Sequence, residues 1–424
     1  MSNSSEYAGT ETFLARQPIL SADLAVRGYE LLYRGSDTGV YDGTDPDQAT
    51  VKLISNSLLV NYLRELTGGL PAFINVSEGL LLQDLLEVLP PENCVIELLE
   101  TIRPTPGVIG AVRRLKKAGY RIALDDFAGD PNFAPLIQLA DIVKVDYMLT
   151  DADSRRAIVT KYRREGLTFL AEKLETREEF IEAQDAGYEL FQGFFFCKPE
   201  TLSRREMPRT KARYLEFLRE MSRPNIDLER LEQVIKAEPS LAAKLLRYLN
   251  SAHFGLKNQM HSIKQALTYL GERPLKRWAT LVALTGLGDD KPPEIVSTCL
   301  IRAHFCEAMA SPTGTSTNEL DLFLTGMFSA VDALVDRPLE EVLTEIGLPD
   351  KVLSAIVGDD TDLSRIYSLV RATELGDKDE FDSISEELGV ESQRVARAYA
   401  EAVMFTQRLM GMPDDVDSGS AQAS

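Results

Sequence analysis

The sequence contains few cysteines, few histidines and little positive charge. Its 424 residues include four cysteines and three histidines, and no two cysteines form a Cys-x-x-Cys pair. This excludes a zinc ribbon and offers no disulfide framework, so we expect reduced thiols and a cytoplasmic location. The 46 Lys and Arg residues face 66 Asp and Glu residues, which gives a formal net charge of −20. Bulk nucleic acid and anionic membrane surfaces are therefore not expected as partners.

Long apolar runs are also missing. No stretch reaches the roughly 18 uncharged apolar residues that cross a bilayer, and the polar N-terminal segment has no signal-peptide core. We therefore predict no membrane insertion. With 44% hydrophobic and 26% charged residues, the composition is that of an ordinary globular protein, and the length of the chain predicts two domains.

Residues 12–200 alternate short apolar runs with amphipathic stretches, the pattern of parallel strands joined by crossover helices. Only a short turn separates the first two runs, so the pattern predicts an α/β modified TIM-type (βα) barrel that begins with an antiparallel hairpin. The eight predicted strands are 13–20, 28–33, 71–76, 94–100, 121–127, 141–146, 168–174 and 189–196.

Strand patterns end after the barrel region. Residues 201–411 carry apolar side chains at helical spacing, with prolines and glycines between the segments, which predicts an all-α helical bundle. Residues 1–11 and 412–424 contain few groups able to offset the entropy of ordering, and we expect both termini to be disordered.

Ionisable and amide side chains recur at the ends of successive predicted strands. Because the C-terminal strand ends of a βα barrel converge on one rim, these side chains are expected to meet there. Carboxylates gathered at one rim repel each other unless a cation neutralises them, and oxygen ligands suit Mg²⁺, Mn²⁺ or Ca²⁺. The residues are Glu30, Asn75, Glu100, Asp125, Asp126, Lys144, Glu172, Glu175 and Gln192.

The chemistry that this set favours is phosphodiester hydrolysis. Adjacent carboxylates at Asp125 and Asp126 can serve two metal ions, and Lys144 can orient water or a phosphate. Each residue taken alone also has a structural interpretation, since a single Glu30 within a strand is more often ion-paired, and Lys144 with Glu175 fits a structural pair. The conjunction of polar residues at successive strand ends favours a functional site.

The motifs of residues 13–199 resemble, in the same order, those of the EAL family of cyclic di-GMP phosphodiesterases. RQPIL, GYELLYR, FINVS, ELLE, DDF, KVD, AEKLET and QGFFFCKP match the successive family motifs. The resemblance implies two Mg²⁺ or Mn²⁺ ions held by six residues, a water assisted by Lys144, a loop steadied by Glu175, an active-site role for Gln192, and nucleotide contacts from Gln17 and Arg34. The six implied metal ligands are Glu30, Asn75, Glu100, Asp125, Asp126 and Glu172.

Three positions depart from the family pattern. Leu31 stands where the signature has alanine, Lys173 replaces a glycine, and the loop DDFAGDPNFAP lacks the Thr-Gly-Tyr-Ser-Ser run. In the family this loop connects the second metal to dimerisation, so its alteration bears on catalysis more than on the fold.

The second half resembles an HDOD domain, and the whole chain is similar to two-domain EAL–HDOD signalling proteins. The matching core is PSLAAKLLRYLNSAHFGLKNQMHSIKQALTYLG. None of His253, His261 and His304 is followed by Asp, so we expect no phosphohydrolase chemistry there. Two hypotheses remain: a cyclic di-GMP phosphodiesterase regulated by HDOD, or a catalytically inactive adaptor that senses the nucleotide or acts through protein contacts. Both include a protein partner at HDOD and are compatible with a homodimer.

Overall fold

The structure, a computed structural model, describes residues 13–33, 59–83, 86–87, 89–198, 208–223, 226–237, 241–245, 260, 262–315 and 317–410. The chain forms two compact units. The first contains Met1–Lys173, Glu182–Gln192 and Ser392–Ser424, and the second contains Leu174–Ile181 and Gly193–Glu391. The predicted disordered ends, 1–11 and 412–424, lie outside the described residues. The predicted domain boundaries stay predictions.

Eight strands form a closed barrel in chain order, which confirms the predicted fold. β1 and β2 pair as the expected antiparallel hairpin, and β1 closes the barrel by pairing antiparallel with β8. β2 to β7 pair in parallel. The strands are β1 (Phe13–Ser21), β2 (Val26–Tyr33), β3 (Ala72–Val76), β4 (Cys94–Leu98), β5 (Arg121–Leu124), β6 (Ile142–Asp146), β7 (Thr168–Leu174) and β8 (Leu190–Gly193).

The helices between the strands carry clear start signals. Thr105 caps one helix by accepting a hydrogen bond from the backbone of Val108, and Pro106 stands at the first turn, where its missing N–H costs nothing. Asp151 caps another by accepting from two backbone N–H groups. The helices of this region are α1 (Leu59–Thr67), α2 (Glu78–Leu82), α3 (Pro106–Lys117), α4 (Ala134–Ile137), α5 (Ala152–Tyr162) and α6 (Arg177–Ala186).

Three strands end earlier than predicted, and the backbone at the end of β8 gives the reason for that strand. β4 ends at Leu98 and β5 at Leu124, while β8 stops at Gly193 and a 3₁₀ helix follows at Phe194–Cys197. Gly193 has φ 140°, and a Cβ there would lie 2.1 Å from the carbonyl oxygen of Leu174. Only glycine fits this position, so the aromatic run turns away from the sheet instead of extending it.

The barrel interior is a layer of apolar side chains, one from each of seven strands. Gly28 of β2 completes this layer, because a Cβ on it would lie 2.9 Å from the ring of Phe73. Its lack of a side chain leaves room for Phe73 to fill the centre. The layer consists of Ile19, Phe73, Val95, Ala123, Ile142 and Leu170, with Leu190 packed against them.

The final helix, numbered α19 in chain order (Ser392–Met410), belongs to the barrel unit and contacts β1 and α1. The side-chain amide oxygen of Gln407 accepts hydrogen bonds of 2.7 and 3.1 Å from the guanidinium of Arg16. Arg16 is buried and lies 4.0 Å over the ring of Tyr29. The outer face of β1 is thus covered by the last described segment of the chain.

The second unit is helical, as predicted. In it, α11 packs closely on α13 at Gly326, where a Cβ would lie 2.3 Å from the carbonyl oxygen of Arg302. Described residues 241–245 are also helical. The helices are α7 (Arg209–Ser222), α8 (Leu228–Ala237), α9 (Ile263–Leu270), α10 (Glu272–Leu287), α11 (Pro293–Ala308), α12 (Ala310–Thr313), α13 (Glu319–Phe328), α14 (Val331–Val335), α15 (Leu339–Ile346), α16 (Asp350–Val357), α17 (Asp362–Leu375) and α18 (Lys378–Glu387).

Arg302 on α11 forms a buried ion pair with Glu374 on α17. Its Nε donates hydrogen bonds of 2.9 and 3.1 Å to the two carboxylate oxygens, and its Nη2 donates one of 2.7 Å. Nη1 donates to the hydroxyl of Ser329 at 3.1 Å. These bonds pair the guanidinium with the Glu374 carboxylate and use both of its oxygens.

All four cysteines are buried and form no disulfide. Burial raises the pKa of the Cys94, Cys197 and Cys299 thiols to about 12, so they stay protonated at neutral pH. Across the described ranges, we find no helix with the length and apolar character to cross a membrane.

Candidate functional site

A ring of polar side chains lies one layer above the apolar layer, because side chains two residues apart on a strand point to the same face. Asn75 follows Phe73 by two residues, Glu97 follows Val95, and Lys144 follows Ile142. The same step gives the other members, and in β1 the chain runs the opposite way, so Gln17 precedes Ile19. The ring is Gln17, Glu30, Asn75, Glu97, Asp125, Lys144, Glu172 and Gln192.

The ammonium of Lys144 is the centre of this ring and is fully buried. Its Nζ lies 2.6 Å from Glu172 Oε1, 3.1 Å from Asp125 Oδ1 and 3.2 Å from Glu30 Oε2. It also donates a hydrogen bond to Glu97 Oε1. One positive charge is therefore shared among four carboxylates, which leaves excess negative charge in a buried place.

Amide side chains fill one side of the ring. Asn75 donates to Glu30 Oε1 at 2.8 Å, and Gln192 donates to Glu30 Oε2 at 2.7 Å. Gln192 Nε2 also donates to Gln17 Oε1 at 2.7 Å. These bonds orient Glu30, and the buried amide oxygens of Asn75 and Gln192 have no hydrogen-bond partner among the described residues.

The ionisation of the ring follows from burial and from this charge imbalance. Burial, together with neighbouring carboxylates, raises the pKa of Glu97 and of Glu172 well above the usual range. Burial opposes the charge of Lys144, but the surrounding carboxylates outweigh it and raise the pKa of Lys144 well above its usual value. For Asp125, burial acts to raise the pKa, but the charge of Lys144 outweighs it, so the net direction is downward.

Two groups of carboxylates are close enough to hold metal ions. We name Glu30, Glu97 and Glu172 the inner acid group, and Glu100, Asp125 and Asp126 the outer acid group. Within each group, one oxygen from each residue lies within 4.8 Å of the others. The inner group is buried, whereas Glu100 is exposed.

The outer acid group is positioned by the backbone beyond β5. The N–H of Asp125 donates to the carbonyl of Leu98 at 3.0 Å, and that of Phe127 donates to the carbonyl of Lys144 at 2.9 Å. Asp126 between them has φ 42°, in the left-handed region. Burial and the adjacent Asp125 raise the pKa of Asp126.

The donor set fits divalent cations. Five buried oxygens at this rim have no hydrogen-bond partner among the described residues, although buried polar atoms almost always have one. Carboxylate and amide oxygens are the ligands of Mg²⁺, Mn²⁺ and Ca²⁺, and a cation would also neutralise the excess charge. The oxygens are Asn75 Oδ1, Glu97 Oε2, Asp126 Oδ1, Glu172 Oε2 and Gln192 Oε1.

Glu97 was not among the predicted site residues, and Glu100, three residues later, was predicted instead. The signal that identifies Glu97 is the step of two residues from the interior side chain of Val95. The expected strand end at Glu100 obscured it, because β4 ends at Leu98 and Glu100 lies exposed beyond it. Glu100 is brought next to Asp125 and Asp126, so its role as a ligand stays a prediction for the outer group.

Among the other predicted residues, Glu175 lies outside the ring. Glu175 is exposed at the end of β7, where its backbone N–H donates to Glu179 Oε2 at 2.8 Å. Arg34 lies outside the described residues, as do His253 and His261. His304 is half-buried, with its ring 5.9 Å from that of Phe323.

A cleft of about 270 Å³ adjoins the outer acid group. Its apolar side includes Phe133, and its charged side chains are Glu100, Arg103, Asp125, Asp126 and Asp130. The cleft places an apolar surface directly beside carboxylates that can hold metal.

Comparisons with known proteins agree with this architecture. A sequence model of the EAL domain matches residues 8–199, and one of the HDOD domain matches residues 207–336. The uncharacterized protein YuxH of Bacillus subtilis is 37% identical over 406 residues, which cover 94% of this chain and 98% of YuxH. The cyclic di-GMP phosphodiesterase CdgJ of Vibrio cholerae is 33% identical over 399 residues, covering 93% of this chain and 92% of CdgJ.

Solved structures were also found. Klebsiella pneumoniae BlrP1, in complex with calcium and cyclic di-GMP, is 25% identical with a TM-score of 0.37, covering 46% of this chain and 57% of BlrP1. The EAL-domain protein YkuI of Bacillus subtilis, with cyclic di-GMP and calcium, is 20% identical with a TM-score of 0.36, covering 61% of this chain and 72% of YkuI. Because both domain matches occur in order and relatives match along nearly the whole length, the chain belongs to the family of EAL–HDOD two-domain proteins.

Proposed function

We propose that the barrel binds cyclic di-GMP and hydrolyses it to linear pGpG with two divalent ions, Mg²⁺ or Mn²⁺. The observation that carries this proposal is the set of unpaired buried oxygens around Lys144 at the C-terminal rim of the barrel. The name of the relative CdgJ, a cyclic di-GMP phosphodiesterase, supports the substrate. The relative PdeA of Escherichia coli, a probable phosphodiesterase of the same class, is 31% identical over 102 residues.

The chain's own residues supply the metal ligands and a fixed positive charge. Glu30, Asn75, Glu97 and Glu172 would hold an ion at the inner acid group, and Glu100, Asp125 and Asp126 one at the outer group. When bound, paired divalent ions lower the pKa of water and neutralise charge on phosphodiester oxygens. Lys144 stays protonated in this environment, so it orients anionic oxygen atoms and does not act as a base.

The amide side chains at the rim position the nucleotide. Gln17 lies at the ring and is tied to Gln192, so its position is fixed before the substrate binds. Together with Arg34, it is proposed to contact the dinucleotide. The HDOD unit is proposed to regulate the barrel or to bind a protein partner, in the cytoplasm and with the chain as a homodimer.

A second candidate function is an adaptor that binds cyclic di-GMP without turnover. The observation that favours it is the loop after β5, where Asp130 accepts a hydrogen bond from the backbone of Asn132 at 2.9 Å and starts a 3₁₀ helix at Pro131–Phe133. This turn follows the outer acid group in sequence, and it stands where the family has the Thr-Gly-Tyr-Ser-Ser run. A loop that orders the outer group poorly would allow binding and prevent hydrolysis.

Product analysis separates the two functions. The full chain is incubated with cyclic di-GMP and either MnCl₂ or MgCl₂, and the products are separated by chromatography. We expect pGpG, and we expect its loss in the Lys144→Met variant. Glu165→Gln, which removes an exposed carboxylate elsewhere in the barrel unit, serves as the matched control and should retain activity.

Calorimetry with cyclic di-GMP and Ca²⁺ completes the design. Binding without pGpG at high protein concentration would establish the adaptor and contradict hydrolysis. Absence of binding in the wild-type chain would contradict both functions of the barrel.

A further inference from the structure

Lys173 is a cation beside the outer acid group and is not a member of the polar ring. It is the residue after Glu172 on β7, and its side chain is 49% exposed. Its Nζ donates a hydrogen bond to Asp146 Oδ2 and lies 3.8 Å from Asp126 Oδ2. A positive charge is therefore already present at the edge of the outer acid group.

The position of this ammonium is held by the surrounding structure. Asp146 is buried, and its Oδ1 accepts hydrogen bonds from the backbone N–H groups of Met148 and Leu149 at 2.6 and 2.9 Å. These bonds fix the carboxylate and direct its second oxygen to Lys173. The ammonium of Lys173 is thus bound to Asp146, a fixed carboxylate that belongs to neither the inner nor the outer acid group.

The backbone of Lys173 indicates that this placement has a cost. Its φ is 55°, in the left-handed region that glycine adopts easily and that a lysine adopts rarely. The facing Asp126 has φ 42°, also in that region. Two non-glycine residues with left-handed backbones therefore bring one cation and one metal-binding carboxylate together, a situation that is typical of functional sites.

The two acid groups differ as a result. The ammonium of Lys144 contacts all three acids of the inner group and also Asp125 of the outer group, so it offsets negative charge in both. The outer group has Lys173 as a further ammonium, 3.8 Å from Asp126, so a divalent ion at the outer group would be repelled by two cations and an ion at the inner group by one. The charge of Lys173 also acts on Asp125, where it contributes to lowering the pKa.

We propose that Lys173 is a resident cation of the outer acid group, so that a divalent ion binds tightly at the inner group and a second ion binds at the outer group only in competition with this ammonium. The inference rests on the metal centre of the proposed function and specifies how its two halves differ. In this protein, occupancy of the second position would follow the concentration of the free metal ion.

The test counts metal ions on the full chain. Mn²⁺ is titrated into the metal-free protein, and free Mn²⁺ is measured by electron paramagnetic resonance. We expect one tightly bound ion in the wild type and a second ion bound at least about tenfold more weakly. In Lys173→Met, which keeps the length of the side chain and removes the charge, the second ion should bind about tenfold more tightly while the first is unchanged.

Three further variants isolate the charge of Lys173. Lys173→Arg retains the positive charge and should behave as the wild type. Lys173→Gly removes the charge and suits the left-handed backbone, so it should reproduce the Met variant with an intact fold. Lys117→Met removes an exposed cation from α3 in the same unit and should leave both affinities unchanged.

The outcomes are distinct for the inference and for the proposed function. Equal affinities for both ions in the wild type, or no change in both the Met and Gly variants, would overturn the role of Lys173. If pGpG still forms in that case, the proposed hydrolysis stands without it. If no Mn²⁺ binds to the wild type or to any variant, the metal centre and the inference fail together.

Discussion

The barrel rim and the helical unit each contain a buried cation that is paired with acidic side chains. At the rim the carboxylates outnumber the cation, whereas in the helical unit one arginine pairs with one glutamate. Lys144 contacts four carboxylates, and several oxygens around it have no partner among the described residues. Arg302 donates hydrogen bonds to the carboxylate of Glu374 and, from Nη1, to the hydroxyl of Ser329. A balanced buried pair is complete in itself, whereas an unbalanced cluster needs additional positive charge. The difference separates a structural ion pair from a candidate metal centre.

The largest expected effect is on turnover at the unbalanced cluster. Glu97→Gln should lower hydrolysis of cyclic di-GMP by about a thousandfold, equivalent to about 4 kcal/mol, because it removes a ligand oxygen at the inner acid group. Without metal, the same change should leave the melting temperature equal or higher, since one of several repelling carboxylates is gone. The measurements are a pGpG assay and thermal unfolding in EDTA, with Glu165→Gln as the control. A large fall in the melting temperature in EDTA would show that Glu97 is a structural partner of Lys144.

At the Arg302–Glu374 ion pair, removing one charged partner should instead lower the stability of the fold. Arg302→Met leaves Glu374 buried without its cation and should lower the free energy of unfolding by about 3 to 4 kcal/mol. The double variant Arg302→Met with Glu374→Leu should recover most of this loss, because no buried charge is left unpaired. Urea denaturation of the two variants measures both values. If the double variant is as unstable as the single one, packing around Arg302 and not charge balance explains the loss.

An effect of intermediate size is expected for His304, a half-buried group that carries no charge at neutral pH. Burial and the nearby charge of Arg277 lower the pKa of His304 to about 4. The unfolded chain binds this proton near pH 6.5, so the stability contributed by neutral His304 is complete above that pH and is lost as the pH falls towards 4. From pH 7 to pH 5, the loss assigned to His304 should be about 2 kcal/mol.

Comparison with a His304→Leu variant isolates the pH-dependent stability that His304 contributes. The difference in free energy of unfolding between the variant and the wild type, measured by urea at pH 7 and at pH 5, should change by that amount in favour of the variant. A constant difference between the two pH values would mean that His304 has an ordinary pKa in the folded protein.

The smallest effect is expected for an ion pair whose two side chains are exposed to solvent. Arg273 and Glu319 form an ion pair in the helical unit, and their side chains are 51% and 52% exposed. Glu319→Gln should change the free energy of unfolding by less than about 0.5 kcal/mol, because water already solvates both charges. Urea denaturation of Glu319→Gln and of Arg302→Met, measured in parallel, tests whether burial sets the size of the loss in unfolding free energy. A loss as large as that of the buried variant would contradict this explanation.

The fold was predictable from local sequence patterns. Errors occurred where a contact between residues distant in sequence determines where a strand ends. Apolar runs located all eight strands, and the short turn between the first two predicted the antiparallel hairpin. The run 189–196 was predicted to be extended throughout, but β8 stops at Gly193 because Leu174, distant in sequence, leaves no room for a side chain. No local pattern contains that information.

The site was predictable to the extent that strand ends were located correctly. Lys144 and Glu172 were identified because they stand within well-defined strands, and the structure brings them together with Glu30. Glu97 was missed because the end of β4 was placed too late in the sequence. Arg302 and Glu374 lie on separate helices, and helical periodicity does not specify which helices pack together.

The packing of α19 on β1 has a consequence for how the protein is made. All eight strands leave the ribosome before most of the helical unit is synthesised, yet β1 and Arg16 gain their contacts with Ser392–Met410 only when that segment emerges. A proteolytic cut that removes residues 392–410 would therefore damage the barrel at its first strand. Assembly of this strand thus depends on a helix that is synthesised more than 350 residues later.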